Sequence, residues 1–276
     1  MSIRDAEDLF LSSLTAAKAS DLKGVGCGSF SDVFLIPKTQ FVIKIPYDKL
    51  EENVEREIYA RLGPHPNILQ CYGEFECILG RGIVLDYLPA GPLAQYIALE
   101  HFPSQRTHWP AQAIEATSYI HSKGVIHCDI GTHNFLLRND GSIVLADFYG
   151  SILDGSPAGV STAARYSRPL SLKQRLLNQT EKDDIFALGS VLYEIVSGHR
   201  LYEGKEDGEI FKLFQQRQFP DTSAISGPLR LVIEKCWRDQ YESAEDVKSE
   251  FGVFTYLYSS KRREDKEVRR ENIGKA

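Results

Sequence analysis

A two-lobed α+β architecture is the fold class this sequence predicts: a small sheet-rich lobe with one main helix, then a larger, mainly helical lobe. Three observations predict it. Short period-two apolar runs crowd the first third of the chain, interrupted by a single helical pattern. Past the turn-rich segment Asp86-Tyr87-Leu88-Pro89-Ala90-Gly91, apolar residues recur at helical spacing instead. Finally, 276 residues, 42% hydrophobic and 25% charged, suffice for one large domain or two small ones.

Each element follows in order. Residues 1–20 carry Ser2-x-x-Asp5 ahead of Ala6, Leu9, Phe10 and Leu14, the pattern of a short helical extension. The small lobe is expected over about 21–85, where 33–36 and 41–45 alternate as strands around a Pro37-Lys38-Thr39-Gln40 turn. A helical pattern over 51–62 stops at Gly63-Pro64, and two more strands fit 69–75 and 82–85. The linker is 86–91, and the large lobe is expected over 92–257. Within it, 92–99 and 110–122 read as helices, the second closed by Gly124. Residues 134–137 and 143–146 flank Asn139-Asp140-Gly141 as a short hairpin. A Gly/Ser/Ala-rich loop over 150–169 precedes four helical patterns at 183–197, 208–218, 228–239 and 243–256. The segment 258–276 is charged and nearly free of large apolar residues, and is expected to be a solvated tail.

Composition narrows the function classes. A net charge of −6 supplies no global basic field to gather nucleic acid or anionic lipid, so neither is expected as a partner. No apolar run approaches the roughly 20 residues needed to span a bilayer. The start lacks the basic and apolar regions of a signal peptide, which points to a cytoplasmic or nuclear protein. The 5 cysteines are odd in number and lack close metal-type spacing, as expected of free thiols in a reducing compartment.

The chemistry sits in a few short stretches. Val25-Gly26-Cys27-Gly28-Ser29-Phe30-Ser31-Asp32-Val33 places glycines where a strand turns back, so that backbone N–H groups can approach phosphate oxygens. A strand ending in Val42-Ile43-Lys44 follows, and its lysine offers phosphates a point cation if a carboxylate holds it. Periodicity selects that carboxylate. Glu55 shares a helix face with Ile58, Tyr59 and Leu62, whereas Glu57 shares one with Ala60, Arg61 and Pro64, which is no core stripe. Glu55 is therefore expected to point inward to Lys44. Farther on stand His127-Cys128-Asp129-Ile130-Gly131-Thr132-His133-Asn134 and, after the hairpin, Ala146-Asp147-Phe148. His127 and His133 read as packing histidines.

Taken together, these stretches resemble the eukaryotic protein-kinase superfamily, matched in order from about Leu22 to Phe254. The H-R-D-x-x-x-x-N pattern falls on His127, Cys128, Asp129 and Asn134, and D-F-G on Asp147, Phe148 and Tyr149. Asp184-Ile185-Phe186-Ala187-Leu188-Gly189 is similar to the start of the family's long central helix. Cys236-Trp237 is similar to a pair in its tyrosine-kinase-like branch. The resemblance implies a two-lobed kinase fold that uses ATP and Mg²⁺ and acts on a protein substrate. Asp147 and Asn134 would then hold metal, and Asp129 would orient the substrate hydroxyl or accept its proton. Lys44 and Glu55 would complete the catalytic set. Val25, Gly26, Cys27, Gly28, Ser29, Phe30, Val33 and Lys44 would surround the nucleotide, with Asp86 and Leu88 bonding its base through their backbone and Leu85 guarding access. Asp184 would brace the catalytic loop.

The sequence departs from the family at several positions. Ser31 replaces the third loop glycine, and Cys128 replaces an arginine that in the family pairs with a phosphorylated loop. Activity independent of such phosphorylation is the expectation. Gly131 replaces a lysine near the transferred group, a space that Thr132 could partly fill, and Tyr149 replaces the D-F-G glycine. Leu170 stands for a glutamate, and Tyr241-Glu242-Ser243 lacks the arginine that pairs with it; losing both halves implies a different but intact packing. Three functions follow: a protein kinase, with serine/threonine as its default acceptor; a pseudokinase serving as a nucleotide-gated binding module; and a small-molecule phosphotransferase. A regulatory partner protein fits any of them.

Overall fold

A computed structural model describes residues 18–47, 52–99, 104–160, 162–170, 174, 179–225 and 227–253. Of the extension expected over 1–20, the described part is a 3-10 turn at Ala19–Asp21; the tail expected over 258–276 lies outside the described residues.

The small lobe is a five-stranded antiparallel sheet of β1 (Lys23–Cys27), β2 (Ser31–Leu35), β3 (Phe41–Pro46), β4 (Cys71–Cys77) and β5 (Gly80–Asp86), ordered β1-β2-β3-β5-β4. The central strand β3 shows why alternation matters. Phe41 and Ile43 pack with Ile36 and Val84 on one face, so Val42 and Lys44 must face the other way. Helix α1 (Glu52–Leu62) lies on that second face, burying Ile58, Tyr59 and Leu62 with Glu55 while Glu57 stays exposed. It stops at Gly63, whose φ of 59° is the left-handed conformation that ends helices.

In the large lobe, α2 (Trp109–Ser122), α3 (Glu181–Ser197), α4 (Asp207–Gln215) and α5 (Pro228–Trp237) are joined by further helical residues at 244–253. Helix α3 is the spine: every residue of 184–192 is buried. Its start is set by a capping box in which the Thr180 N–H donates to Asp183 Oδ2 at 2.9 Å. Two short ladders, β6 (Val125–Ile126) with β9 (Ile152–Leu153) and β7 (Phe135–Leu137) with β8 (Ile143–Leu145), bracket residues 127–134 between them. The lobes are laced by backbone bonds, Leu69 N–H to Leu145 O and Leu145 N–H to Asn67 O, both 2.9 Å.

Two expected helices need correction. Over 92–99 only a 3-10 turn at Leu93–Gln95 forms, because tertiary partners claim the backbone: Ala94 N–H donates to Thr132 O at 3.0 Å and Gly91 O accepts from Leu137 N–H at 2.9 Å. Helix α4 ends at Gln215, short of the expected 218, where Arg217 takes a φ of 54°.

The position of the missing Glu–Arg pair holds an anchor of reversed polarity. Arg168 Nη2 lies 3.0 Å from Asp239 Oδ2 and Arg168 Nη1 lies 3.6 Å from Asp183 Oδ2, while Lys182 Nζ sits 3.7 Å from Asp239 Oδ1. This network ties the end of the 150–169 loop to helices α3 and α5. Arg168→Ala and Asp239→Asn, the latter keeping a side chain that tolerates the φ of 59° at this position, are each expected to lose about 0.5–1 kcal/mol in urea unfolding. Because one contact is shared, the double variant should lose little more than either single; simply additive losses would count against the anchor.

Candidate active site

The cleft between the lobes encloses about 410 Å³ and is lined by Val25, Gly26, Cys27, Gly28, Ser31 and Val33 from above. Leu85, Asp86, Tyr87 and Leu88 line its back, and Lys44, His133, Asn134, Leu136, Ala146 and Asp147 its deeper end and floor. Ser29 and Phe30, expected with the other loop residues, instead border a smaller adjoining hollow of about 70 Å³ with Asp129, Asp147, Tyr149 and Val160. The loop tip reaches across to the large lobe: Phe30 is 43% exposed, and its ring stacks on Tyr149 with centroids 4.6 Å apart. A Cβ on Gly28 would meet no protein atom closer than 3.6 Å, so the protein's own packing does not demand a glycine there.

Lys44 is the centre of the electrostatics. Its Nζ donates to both Glu55 oxygens at 2.8 Å and to Asp147 Oδ1 at 2.6 Å. Burial works against the charged ammonium, yet Glu55 and Asp147 outweigh it and hold the Lys44 pKa above the ordinary lysine value. Burial likewise opposes ionisation of Asp147, but Lys44 prevails and the carboxyl titrates below its usual range. Glu55 also accepts the Phe148 N–H at 3.2 Å, so one glutamate fixes both the lysine and the backbone beside Asp147. Phe148 is clamped in turn between Tyr59 and His127, with ring centroids 5.1 and 5.0 Å away.

Across the cleft, Asn134 Nδ2 donates to Asp129 O at 2.9 Å and to Asp129 Oδ2 at 3.1 Å. With its amide nitrogen so occupied, Asn134 has its oxygen left to offer. Beneath lies Asp184, fully buried, accepting His127 N–H at 2.7 Å, Cys128 N–H at 3.0 Å and His121 Nε2 at 2.9 Å. Those bonds hold Cys128 at a φ of 67°, an unfavourable backbone for cysteine, and so shape the loop that presents Asp129. The Cys128 side chain itself is buried with its Sγ 3.5 Å from Ile126 O.

One expectation for this loop is overturned and another is incomplete. Thr132 does not fill space beside the cleft; it is buried and bonds Tyr166 Oη at 3.0 Å and Glu194 Oε2 at 2.8 Å. A hydroxyl in an apolar lobe seeks the nearest strong acceptor, and Glu194 provides it. His133 packs on Tyr166, but it also lines the cleft and reaches Asp129 Oδ2 at 3.1 Å. Sequence reasoning missed it; the signal available was a residue without a side chain, Gly131, two positions ahead of a large polar one. His127 is a packing histidine, fully buried and bonded to Ala146 O at 3.0 Å.

A buried lysine held by a helix carboxylate, facing an Asp/Asn pair and a second aspartate, forms one connected set. The model of the protein kinase domain family matches residues 20–245 of this chain. The chain belongs to the protein kinase family. Among curated relatives, this kinase domain is 28% identical over 226 residues to Aurora kinase A-B of Xenopus laevis, a match covering 76% of the chain and 55% of that protein. It is 29% identical over 213 residues to mitogen-activated protein kinase kinase kinase 20 of Arabidopsis thaliana, covering 68% of the chain and 62% of the relative. It is 30% identical over 215 residues to serine/threonine-protein kinase PKH3 of Eremothecium gossypii, covering 68% of the chain and 29% of the relative. The chain thus spans about half the length of the Aurora relative. Among the described residues, no helix of the kinase is long and apolar enough to cross a membrane.

Proposed function

We propose that this kinase transfers the γ-phosphoryl group of ATP to a serine or threonine hydroxyl of a protein. The observation that carries the reading is the Lys44 ammonium, held 2.8 Å from Glu55 and 2.6 Å from Asp147, with Asn134 lining the same cleft and Asp129, bonded to Asn134, bordering the adjoining hollow. Bound ATP with Mg²⁺ supplies the activated phosphoryl group and neutralises its charge. The donors suit that ion: Asp147 keeps a second carboxylate oxygen and Asn134 its amide oxygen, both hard ligands, and nucleotide phosphates would complete the shell. Lys44 would pair with the phosphates once they share its attention with Glu55. The Gly26–Gly28 turn would lie over them, and the Asp86–Leu88 backbone would bond the base; Asp86 N–H is already committed to Gln70 O at 3.1 Å, so its carbonyl is the group to offer. Asp129 would orient the incoming hydroxyl and accept its proton. The serine/threonine preference is supported by the relatives, one of which carries that description in its name.

A second reading, a nucleotide-gated binding module, is favoured by one observation. The stacked rings of Phe30 and Tyr149 line the same hollow that Asp129 and Asp147 border, where an acceptor would enter.

Two measurements separate these readings. Mg-ATP at about 100 times its Kd should raise the unfolding free energy by roughly 2.7 kcal/mol, seen as a shift of several degrees in a melt. No shift would dispose of both. Asp129→Asn should keep that shift while lowering phosphate transfer to a protein acceptor about 10²–10⁴-fold. Transfer that survives unchanged in this variant would rule out the assigned base.

A further inference from the structure

We infer that His133 is the residue that positions the Asp129 carboxylate, and that position 131 is glycine in order to seat the His133 ring. This rests on the kinase reading proposed above and names a positioning residue for it.

A Cβ built on Gly131 would lie 2.3 Å from His133 Cε1, 2.5 Å from His133 Nδ1 and 3.1 Å from Tyr166 Cε2. Real side chains do not approach so closely, so any residue larger than glycine at 131 must displace the imidazole. The ring fills the volume in which a side chain at 131 would begin. It sits against Tyr166, with centroids 5.7 Å apart, and Tyr166 is itself immobilised by Thr132 and Glu194. The imidazole therefore rests on a rigid, buried base.

Hydrogen bonding supplies the second observation. His133 Nε2 lies 3.1 Å from Asp129 Oδ2, and Asn134 Nδ2 lies 3.1 Å from the same oxygen. An ionised carboxylate only accepts, so Nε2 carries the hydrogen in this contact. Two donors converge on Oδ2, and among the described residues Oδ1 accepts no hydrogen bond. One oxygen is thus fixed by the loop while its twin stays available to an incoming hydroxyl. Without His133 the carboxylate would turn about its χ2 with Asn134 as its single side-chain tether, and a group misplaced by about 1 Å can lose on the order of 10²-fold in rate.

Exposure supplies the third. The His133 side chain is 41% exposed and borders the cleft beside Lys44, Asn134 and Asp147, unlike His127, which is wholly enclosed. The ring is thus packed on one side and open to the cleft on the other.

The test is a set of steady-state measurements of phosphate transfer from Mg-ATP to dephosphorylated casein. It compares wild type, His133→Ala, His133→Gln, Gly131→Ala and the double variant Gly131→Ala/His133→Ala, with a melt of each. His133→Ala should lower kcat about 10- to 100-fold, with KM for ATP and the melting temperature nearly unchanged. His133→Gln, which can still donate to Oδ2, should recover part of that loss. Gly131→Ala should fall as far as His133→Ala, and the double variant no farther than either, because both changes remove one contact. The inference is overturned by a His133→Ala enzyme with wild-type kcat, by failure of glutamine to recover anything, or by losses that multiply in the double variant. If Gly131→Ala does not fold, the alanine–glutamine comparison at 133 decides alone. A wild-type protein that binds Mg-ATP yet transfers nothing would remove the transferase reading together with this inference; transfer that ignores position 133 would remove only the inference.

Discussion

Replacing Lys44 with methionine is expected to end measurable phosphate transfer and to lower the unfolding free energy by about 3–5 kcal/mol. The second effect is as informative as the first. Lys44 and Glu55 are both buried in the wall of the cleft, bonded at 2.8 Å. Removing the ammonium strands a carboxylate that water cannot reach. Asp147 suffers less, since about half of its side chain is open to the cleft (52% exposed), where water can replace the lost partner. The remedy follows from the same geometry. Glu55→Gln neutralises the stranded charge and keeps Oε1 as acceptor for the Phe148 N–H, now at 3.2 Å. Lys44→Met/Glu55→Gln should therefore regain at least half of the lost stability and none of the activity. Urea unfolding of the three proteins, read beside transfer of labelled phosphate, checks both parts. A single Lys44→Met variant as stable as wild type would show that the pair is not the buried ionic unit described.

Asp184→Ala should rank next, with an expected loss of about 3–5 kcal/mol and a fall in kcat that spares KM for ATP. Its carboxylate takes three donors, two of them the backbone N–H groups of His127 and Cys128, at 2.7 and 3.0 Å. None of them has water to turn to, because the site is fully enclosed. Each stranded buried donor costs about 1–3 kcal/mol. The loop would also lose what holds Cys128 at a φ of 67°, and Asp129 is the next residue. Lys44, the Gly26–Gly28 turn and the Asp86–Leu88 segment, which line the cleft, are set by the small-lobe sheet and the linker and not by Asp184, so nucleotide affinity should change little. Denaturant titration with steady-state kinetics tests this; a loss below about 1 kcal/mol would show that the loop is shaped by something else.

Reading the sequence reached the main features of this arrangement for an identifiable reason. The helix face of Glu55 was legible because burial of Ile58, Tyr59 and Leu62 follows the 3.6-residue period, and a residue on that stripe must share it. The cleft-facing side of β3 was legible because alternation leaves Lys44 opposite Ile43. Where the reading failed, backbone bonds or side-chain choices between distant segments decided the outcome. Residues 92–99 carry a helical pattern, but Ala94 and Gly91 bond the 132–137 segment, and no local rule anticipates that. Thr132 stands next to Gly131 in sequence, where it could partly fill the space of the absent side chain, but Glu194, 62 residues away, draws it into the core.

The same division separates what was determined locally from what was not. The order of most elements and the facing of Lys44 and Glu55 are written in periodicity, because burial on one side of a helix or strand repeats at short range, while Asp129, Asn134 and Asp147 are picked out by their resemblance to the kinase motifs. The reversed Arg168–Asp239 anchor, the stack of Phe30 on Tyr149 and the seating of His133 over Gly131 are not. Each depends on which atoms face one another once segments distant in sequence have packed together. Close packing decides that over tens of residues at once, so a glycine reads as a loss in the sequence and as a seat in the fold.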